Sequence, residues 1–166
     1  MRIPICLALL AGAALGQDVA LGQDIKVVIF ISTICPVSNS YNLRMKDLYR
    51  DYAPKGVKFE FLNANQNETQ AEVEEHARRA GFPFPVTKDV DNAMADRLGA
   101  QYTPESFVID GGVIRYHGRI DDAQNPARVR QSSLRLAIDA VLAGREVGAP
   151  ETKTFGCTIK RVRKAS

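Results

Sequence analysis

Three cysteines and two histidines are the side chains of this 166-residue sequence best suited to redox, nucleophilic or soft-metal chemistry. Cys35 stands in Ser32-Thr33-Ile34-Cys35-Pro36-Val37-Ser38, after an apolar run and before an amphipathic one. That places a thiol at a strand-to-helix turn, where unpaired helix amides and the helix dipole favour the thiolate. The thiolate is the nucleophile toward disulfides and peroxides. Two hydroxyls flank it. Ser32 either donates a hydrogen bond to an oxygen near the sulfur or simply finishes the strand; Ser38 either polarises the thiolate as a hydroxyl donor or serves as a helix cap.

Cys157 follows a glycine in the polar stretch PETKTFGCTIKR, to which no regular structure can be assigned. It reads either as a resolving partner for Cys35 or as an isolated or intermolecular thiol. Cys6 lies inside MRIPICLALLAGAALGQ, one positive residue followed by a short apolar run closed by small residues. Such a stretch reads as a secretory signal peptide over residues 1–17, too short for a bilayer anchor. Export to an oxidising compartment would permit a disulfide between the two remaining thiols without requiring one. His76 falls on the apolar face of a helix and reads as a packed histidine, and His117 ends a strand. No Cys-x-x-x-Cys motif accompanies them, so neither a metal nor a cofactor is expected.

The surrounding pattern says what must hold Cys35 in place. IKVVIFI, residues 25–31, is apolar without alternation, as a strand covered on both faces should be. Tyr41, Met45, Leu48, Tyr49 and Tyr52 then trace one face of a helix stopped by Pro54 and Gly56, and residues 57–63 form a second strand. Thr69 and Glu72 make a capping box for a helix closed by Gly81. Residues 82–86, with Pro83 and Pro85, read as a loop and brief edge strand. Asp91 is expected to cap a short helix through Leu98. Residues 105–109 and 113–117 flank Asp110-Gly111-Gly112 as a hairpin, and a last helix is expected to start at Asn125-Pro126 and run to Gly144. Alternating strands and helices give parallel pairings and the hairpin adds antiparallel ones, so a mixed α/β sheet with helices on both faces is expected.

Composition adds limits. A chain of 18.2 kDa supports one core, and a net charge of +3 with both signs interspersed is too weak an asymmetry to argue for a nucleic-acid partner, and none is expected. The basic end, Lys160, Arg161, Arg163 and Lys164, reads as a solvated, frayed terminus.

Four stretches, VVIFISTICPVSNSY, FLNANQNE, FPFPVTKDVDNAMADRLGAQYTPESFVID and VIRYHGRIDDA, together resemble the thioredoxin superfamily. Within it they resemble the redoxin branch of alkyl hydroperoxide reductases and thiol-specific antioxidant proteins. The resemblance implies a thioredoxin-like three-layer α/β/α fold over residues 18–145, with residues 146–166 as a tail carrying Cys157. It also implies that Thr103-Pro104 is a cis peptide facing the cysteine. Pro36, Thr103 and Pro104 would then shape the substrate groove, with Arg119 a candidate cation near the thiol. The departures are specific. Ser38 stands where thioredoxin-type reductases have a second cysteine, Val28 stands where peroxiredoxins have a proline, and the usual N-terminal hairpin is missing or squeezed into residues 18–24.

The function expected is thiol-based redox chemistry in an exported, periplasmic or secreted protein. A peroxide or protein disulfide would be the substrate, Cys35 the nucleophile, Cys157 the resolving thiol, and a separate thiol partner the reductant. The rival is a non-catalytic thioredoxin-like module binding copper or a partner protein.

Overall fold

A computed structural model describes residues 24–162. The leader with Cys6, nearly all of the squeezed hairpin, Arg163 and Lys164 lie outside these residues. Five strands form the main sheet: β1 (Ile25–Phe30), β2 (Lys58–Asn63), β3 (Val86–Lys88), β5 (Glu105–Asp110) and β6 (Val113–Gly118), in the spatial order β3-β2-β1-β5-β6. β1 pairs parallel with β2 and antiparallel with β5. β2 pairs parallel with β3, and β5 antiparallel with β6. The sheet is therefore mixed, with β1 at its centre.

Side chains of a strand alternate between faces, and β1 has a separate apolar layer for each. Ile25, Val27 and Ile29 join one cluster with Met45 and Leu48 of α2 (Asn42–Tyr52), Val73 of α3 (Gln70–Ala80) and Leu134 and Ile138 of α5 (Ser133–Leu142). Val28 and Phe30 join the opposite cluster with Ala95 of α4 (Ala93–Leu98), Phe107 and Ile159. This is why β1 shows no alternation in sequence: both faces are dry.

Several local expectations are corrected. The first helical stretch is divided into α1 (Pro36–Ser40) and α2 at Tyr41. The edge strand is Val86–Lys88, because Phe82 and Phe84 are taken up in a stack, with ring centroids 4.7 Å apart and Phe84 3.6 Å from Phe61. Asp91 does not cap α4; its φ is +56°, and the carboxylate of Asp89 instead accepts from the amides of Met94 and Ala95 at 2.8 Å. Asn125-Pro126 opens only a short 3-10 turn, Pro126–Arg128, and α5 begins at Ser133.

The largest correction concerns the segment after α5, which is ordered against the domain through Val162. Phe155 packs against Tyr41 with centroids 6.3 Å apart, and Ile159 is buried. Cys157–Thr158 forms β7, antiparallel to β4 (Tyr102–Thr103), in a separate two-stranded ribbon. The Ile159 amide donates to Gln101 O at 2.9 Å, and the Gln66 amide to Lys160 O at 2.7 Å. Lys160 and Arg161 are thus held against the fold. Polar composition hid this strand, because its contacts are mainly backbone hydrogen bonds that any side chain permits.

Candidate functional site

The loop between β1 and α1 closes around Ser32. Its hydroxyl accepts from the amides of Ile34 and Cys35, at 3.3 and 3.1 Å, and donates to Glu68 Oε1 at 2.6 Å. The Ser32 amide donates to Ser38 Oγ at 3.1 Å. The hydroxyls assigned to the sulfur are therefore engaged in shaping the turn: Ser32 gives its proton to a carboxylate. Ser38 reaches Cys35 through its backbone amide, 3.4 Å from Sγ. Cys35 is the N-cap of α1, as its position before the helix implies.

The Thr103-Pro104 peptide is cis. Thr103 is buried, and its carbonyl accepts from the Cys35 thiol at 3.3 Å. Glu105, the next residue after the proline, anchors this loop from below. Its Oε2 accepts from the amides of Gln101 and Tyr102 at 2.5 and 2.8 Å, while Oε1 pairs with His117 Nε2 at 2.6 Å. Pro36 is exposed at the start of α1, and Pro104 is buried.

β7 lies across β4 with Cys157 opposite Thr103, and this register carries Cys157 to Cys35. Both cysteines are free, and the approach of Cys157 to Cys35 lets each sulfur perturb the other. Their titration is split by that approach. Burial opposes ionisation of Cys35, but hydrogen bonds from the Cys157 thiol, the Ser38 amide, the Thr103 hydroxyl and the Cys157 amide outweigh it and hold Cys35 below its ordinary value. Cys157 is pushed up to about 11, first by the same hydrogen bond, then by burial and by the charge of Cys35. Ionisation is thus favoured at Cys35 and disfavoured at Cys157.

Arg119 is not part of this cluster. Its Nε donates to Ser133 Oγ at 3.2 Å and its Nη2 to Gln131 at 3.3 Å. His76 is buried, edge-on to Phe82. Among the described residues no group of three or more His, Cys, Asp or Glu is placed to hold a metal ion.

Sequence reading missed Glu68, which is 2% exposed. Besides Ser32, it accepts from the Thr33 amide at 2.6 Å and from the side-chain amides of Asn63 and Asn65 at 2.8 and 2.6 Å. Burial works against its charge, yet the bonds from Ser32, Thr33 and Asn63 outweigh it and keep the carboxyl below its ordinary range. Lys88 Nζ donates to Asn63 Oδ1 and to the carbonyls of Asn65 and Glu68 at 2.6–2.8 Å. The available signal was the polar run Asn63, Asn65, Glu68 at the exit of a buried strand.

A mixed sheet with a cysteine past its central strand and a cis X-Pro bond beside it defines a thioredoxin-like fold. The chain shares that fold with a thioredoxin-like protein solved in its oxidised form, at TM-score 0.60 and 18% identity over 75% of this chain and 82% of the other. Residues 14–117 match the AhpC/TSA family, and the chain belongs to it. It is similar to an uncharacterized conserved protein from Geobacillus kaustophilus, with 31% identity and TM-score 0.78 over 87% of this chain and 81% of that one. A hypothetical protein from Sinorhizobium meliloti 1021 compares at 32% identity and TM-score 0.76, covering 86% and 82%. No curated protein matches the chain.

Proposed function

We propose that the protein is an exported thiol:disulfide oxidoreductase in which Cys35 and Cys157 form the redox pair. The observation that carries this reading is the β4–β7 pairing, which sets Cys157 opposite the Thr103 whose carbonyl accepts from Cys35, with one thiol lowered and the other raised in pKa. The Cys35 thiolate attacks one sulfur of a substrate disulfide, forming a mixed disulfide and releasing the other sulfur as a thiolate. Cys157 gives up its proton to the released thiolate and attacks the Cys35 sulfur, expelling the second substrate sulfur, which takes a proton from solvent. The substrate gains two electrons and the protein loses two. A separate thiol reductant returns the pair to the reduced state.

Disulfide is favoured over peroxide by what surrounds the sulfur. The Ser32 hydroxyl is committed to Glu68, Val28 replaces the proline of the peroxidase pattern, and the Arg119 guanidinium is directed at Ser133 and Gln131. Neither the Ser32 hydroxyl nor the Arg119 guanidinium is left to hold a peroxide oxygen. Placement outside the cytoplasm is supported by the leader-like residues 1–17, whose composition suits export. A solved structure of similar fold is described as a putative thiol:disulfide interchange protein DsbE from Chlorobium tepidum, at 19% identity and TM-score 0.60.

The test is to mix reduced protein with oxidised glutathione or hydrogen peroxide at equal concentrations and follow intact mass. Loss of two hydrogens, faster with the disulfide than with peroxide and abolished in both Cys35→Ser and Cys157→Ser, supports exchange. Faster reaction with peroxide, with one oxygen gained at Cys35 in Cys157→Ser, would instead make the protein a peroxidase.

A further inference from the structure

We propose that Glu68 is a positioning residue that fixes Cys35 and Cys157 relative to each other, holding the Cys35 loop with one set of bonds and the Cys157 strand through Asn65 with another. The inference rests on the dithiol reading above and adds a residue outside the sulfur cluster to it. On one side, the carboxylate takes the Ser32 hydroxyl and the Thr33 amide, and Ser32 in turn takes the amide of Cys35 itself. On the other side, Asn65 donates its side-chain amide to Glu68 Oε1 and accepts the Lys160 amide on Oδ1 at 2.7 Å. The Gln66 amide returns a bond to Lys160 O, so this stretch of the C-terminal segment is clamped three residues beyond Cys157. Asn63 and Lys88 complete the frame: Asn63 donates to Oε2, and Lys88 ties Asn63, Asn65 and Glu68 together through an ammonium that offsets the buried charge.

The donor count makes a carboxylate specific here. Four N–H and O–H groups converge on two oxygens, a pattern that an acceptor-only group satisfies. A glutamine would aim its own N–H2 at two of those donors. Intramolecular thiol attack depends steeply on geometry, so loosening either segment lowers the effective concentration of one thiol toward the other.

The experiment equilibrates wild type, Glu68→Gln and Asn65→Ala with glutathione redox buffers and reads the equilibrium constant for the Cys35–Cys157 disulfide by mass. Alkylation of Cys35 and circular dichroism are followed alongside. We expect Asn65→Ala to lower the constant about tenfold by cutting the tail link, and to change Cys35 alkylation no more than Cys157→Ala does. Glu68→Gln is expected to lower it at least as far and to slow alkylation too, because it disturbs the Cys35 loop as well. Folded variants that both keep the wild-type constant overturn the positioning role while leaving the dithiol reading intact. If Glu68→Gln does not fold, Asn65→Ala decides alone. Wild-type protein that forms no Cys35–Cys157 disulfide in these buffers removes the dithiol reading, and this inference with it.

Discussion

Gly156 lies against the carbonyl group of Thr103 with no space for a side chain. A Cβ at that position would stand 2.2 Å from Thr103 O and 2.8 Å from its carbon, and the glycine adopts φ +155°. The same carbonyl accepts the Cys35 thiol. Only a residue without Cβ lets the strand before Cys157 come this close to the cis-proline loop.

Gly156→Ala should therefore detach β7 from β4 without unfolding the sheet, at a local cost of about 1–3 kcal/mol. The expected result is faster hydrogen exchange at the β7 amides and faster alkylation of Cys157, with the midpoint of global unfolding nearly unchanged. Wild-type exchange and alkylation rates in the variant would show that the contact does not hold the tail.

The coupled thiols give opposite pH shifts on deletion. In Cys157→Ala, Cys35 loses its largest favourable hydrogen bond, so its alkylation profile should move to higher pH. In Cys35→Ala, Cys157 loses both the hydrogen bond and the charge that raise it, so its profile should move down from about 11 toward an ordinary thiol. Two profiles that stay where the wild-type pair places them would mean that the sulfurs do not interact.

Glu68 predicts an acid limb of stability. Its folded pKa is held below the unfolded reference of 4.5, so the unfolded chain takes up the proton first. The stabilisation is fully present above that reference and is lost as pH falls through the folded value. Denaturation free energy measured between neutral and acidic pH should decline less steeply in Glu68→Gln than in wild type. Parallel slopes would place the acid-labile group elsewhere.

The sheet was legible because β1, β2 and the hairpin declare themselves by apolar runs and turn glycines, and the capping box at Thr69 and Glu72 is formed as read. Cys35 was legible from its place between a strand and a helix. The partners of the Cys35 turn were not, because Ser32, Ser38 and Glu68 are joined by contacts between residues up to 36 positions apart. β7 was illegible for another reason: a two-residue strand has no period, and its register is set by Gly156 meeting a loop more than fifty residues earlier. Arg119 was misplaced because analogy carries a residue type but not the direction of its side chain.

That direction is itself testable. With its guanidinium bonded to Ser133 and Gln131, Arg119 does not stabilise the Cys35 thiolate. Arg119→Ala should leave the pH profile of Cys35 alkylation in place, within about 0.2 pH units, less than a twofold change. A clear upward shift would return Arg119 to the site.

The cation that does matter structurally is Arg44. Asp121 is buried, with its side chain 4% exposed, and its carboxylate accepts from Tyr41 Oη at 2.9 Å and from Arg44 Nη1 at 2.6 Å. Arg44 also donates to the carbonyls of Ala123 and Gln124, and its guanidinium lies 3.6 Å from the centroid of the Tyr41 ring. One side chain thus ties the start of α2 to the loop after β6. Removing it leaves a buried carboxylate without its counter-charge, for which the cost is about 3–5 kcal/mol. Arg44→Ala should therefore lower stability to denaturant by that amount, whereas Arg44→Ala combined with Asp121→Asn should lose less, because no bare charge remains. Lysine at position 44 should fall between, since it keeps the charge but cannot reach several acceptors with a planar fork. Equal losses in the single and double variants would show that the contacts to Ala123, Gln124 and the Tyr41 ring, and not the buried charge pair, carry the effect.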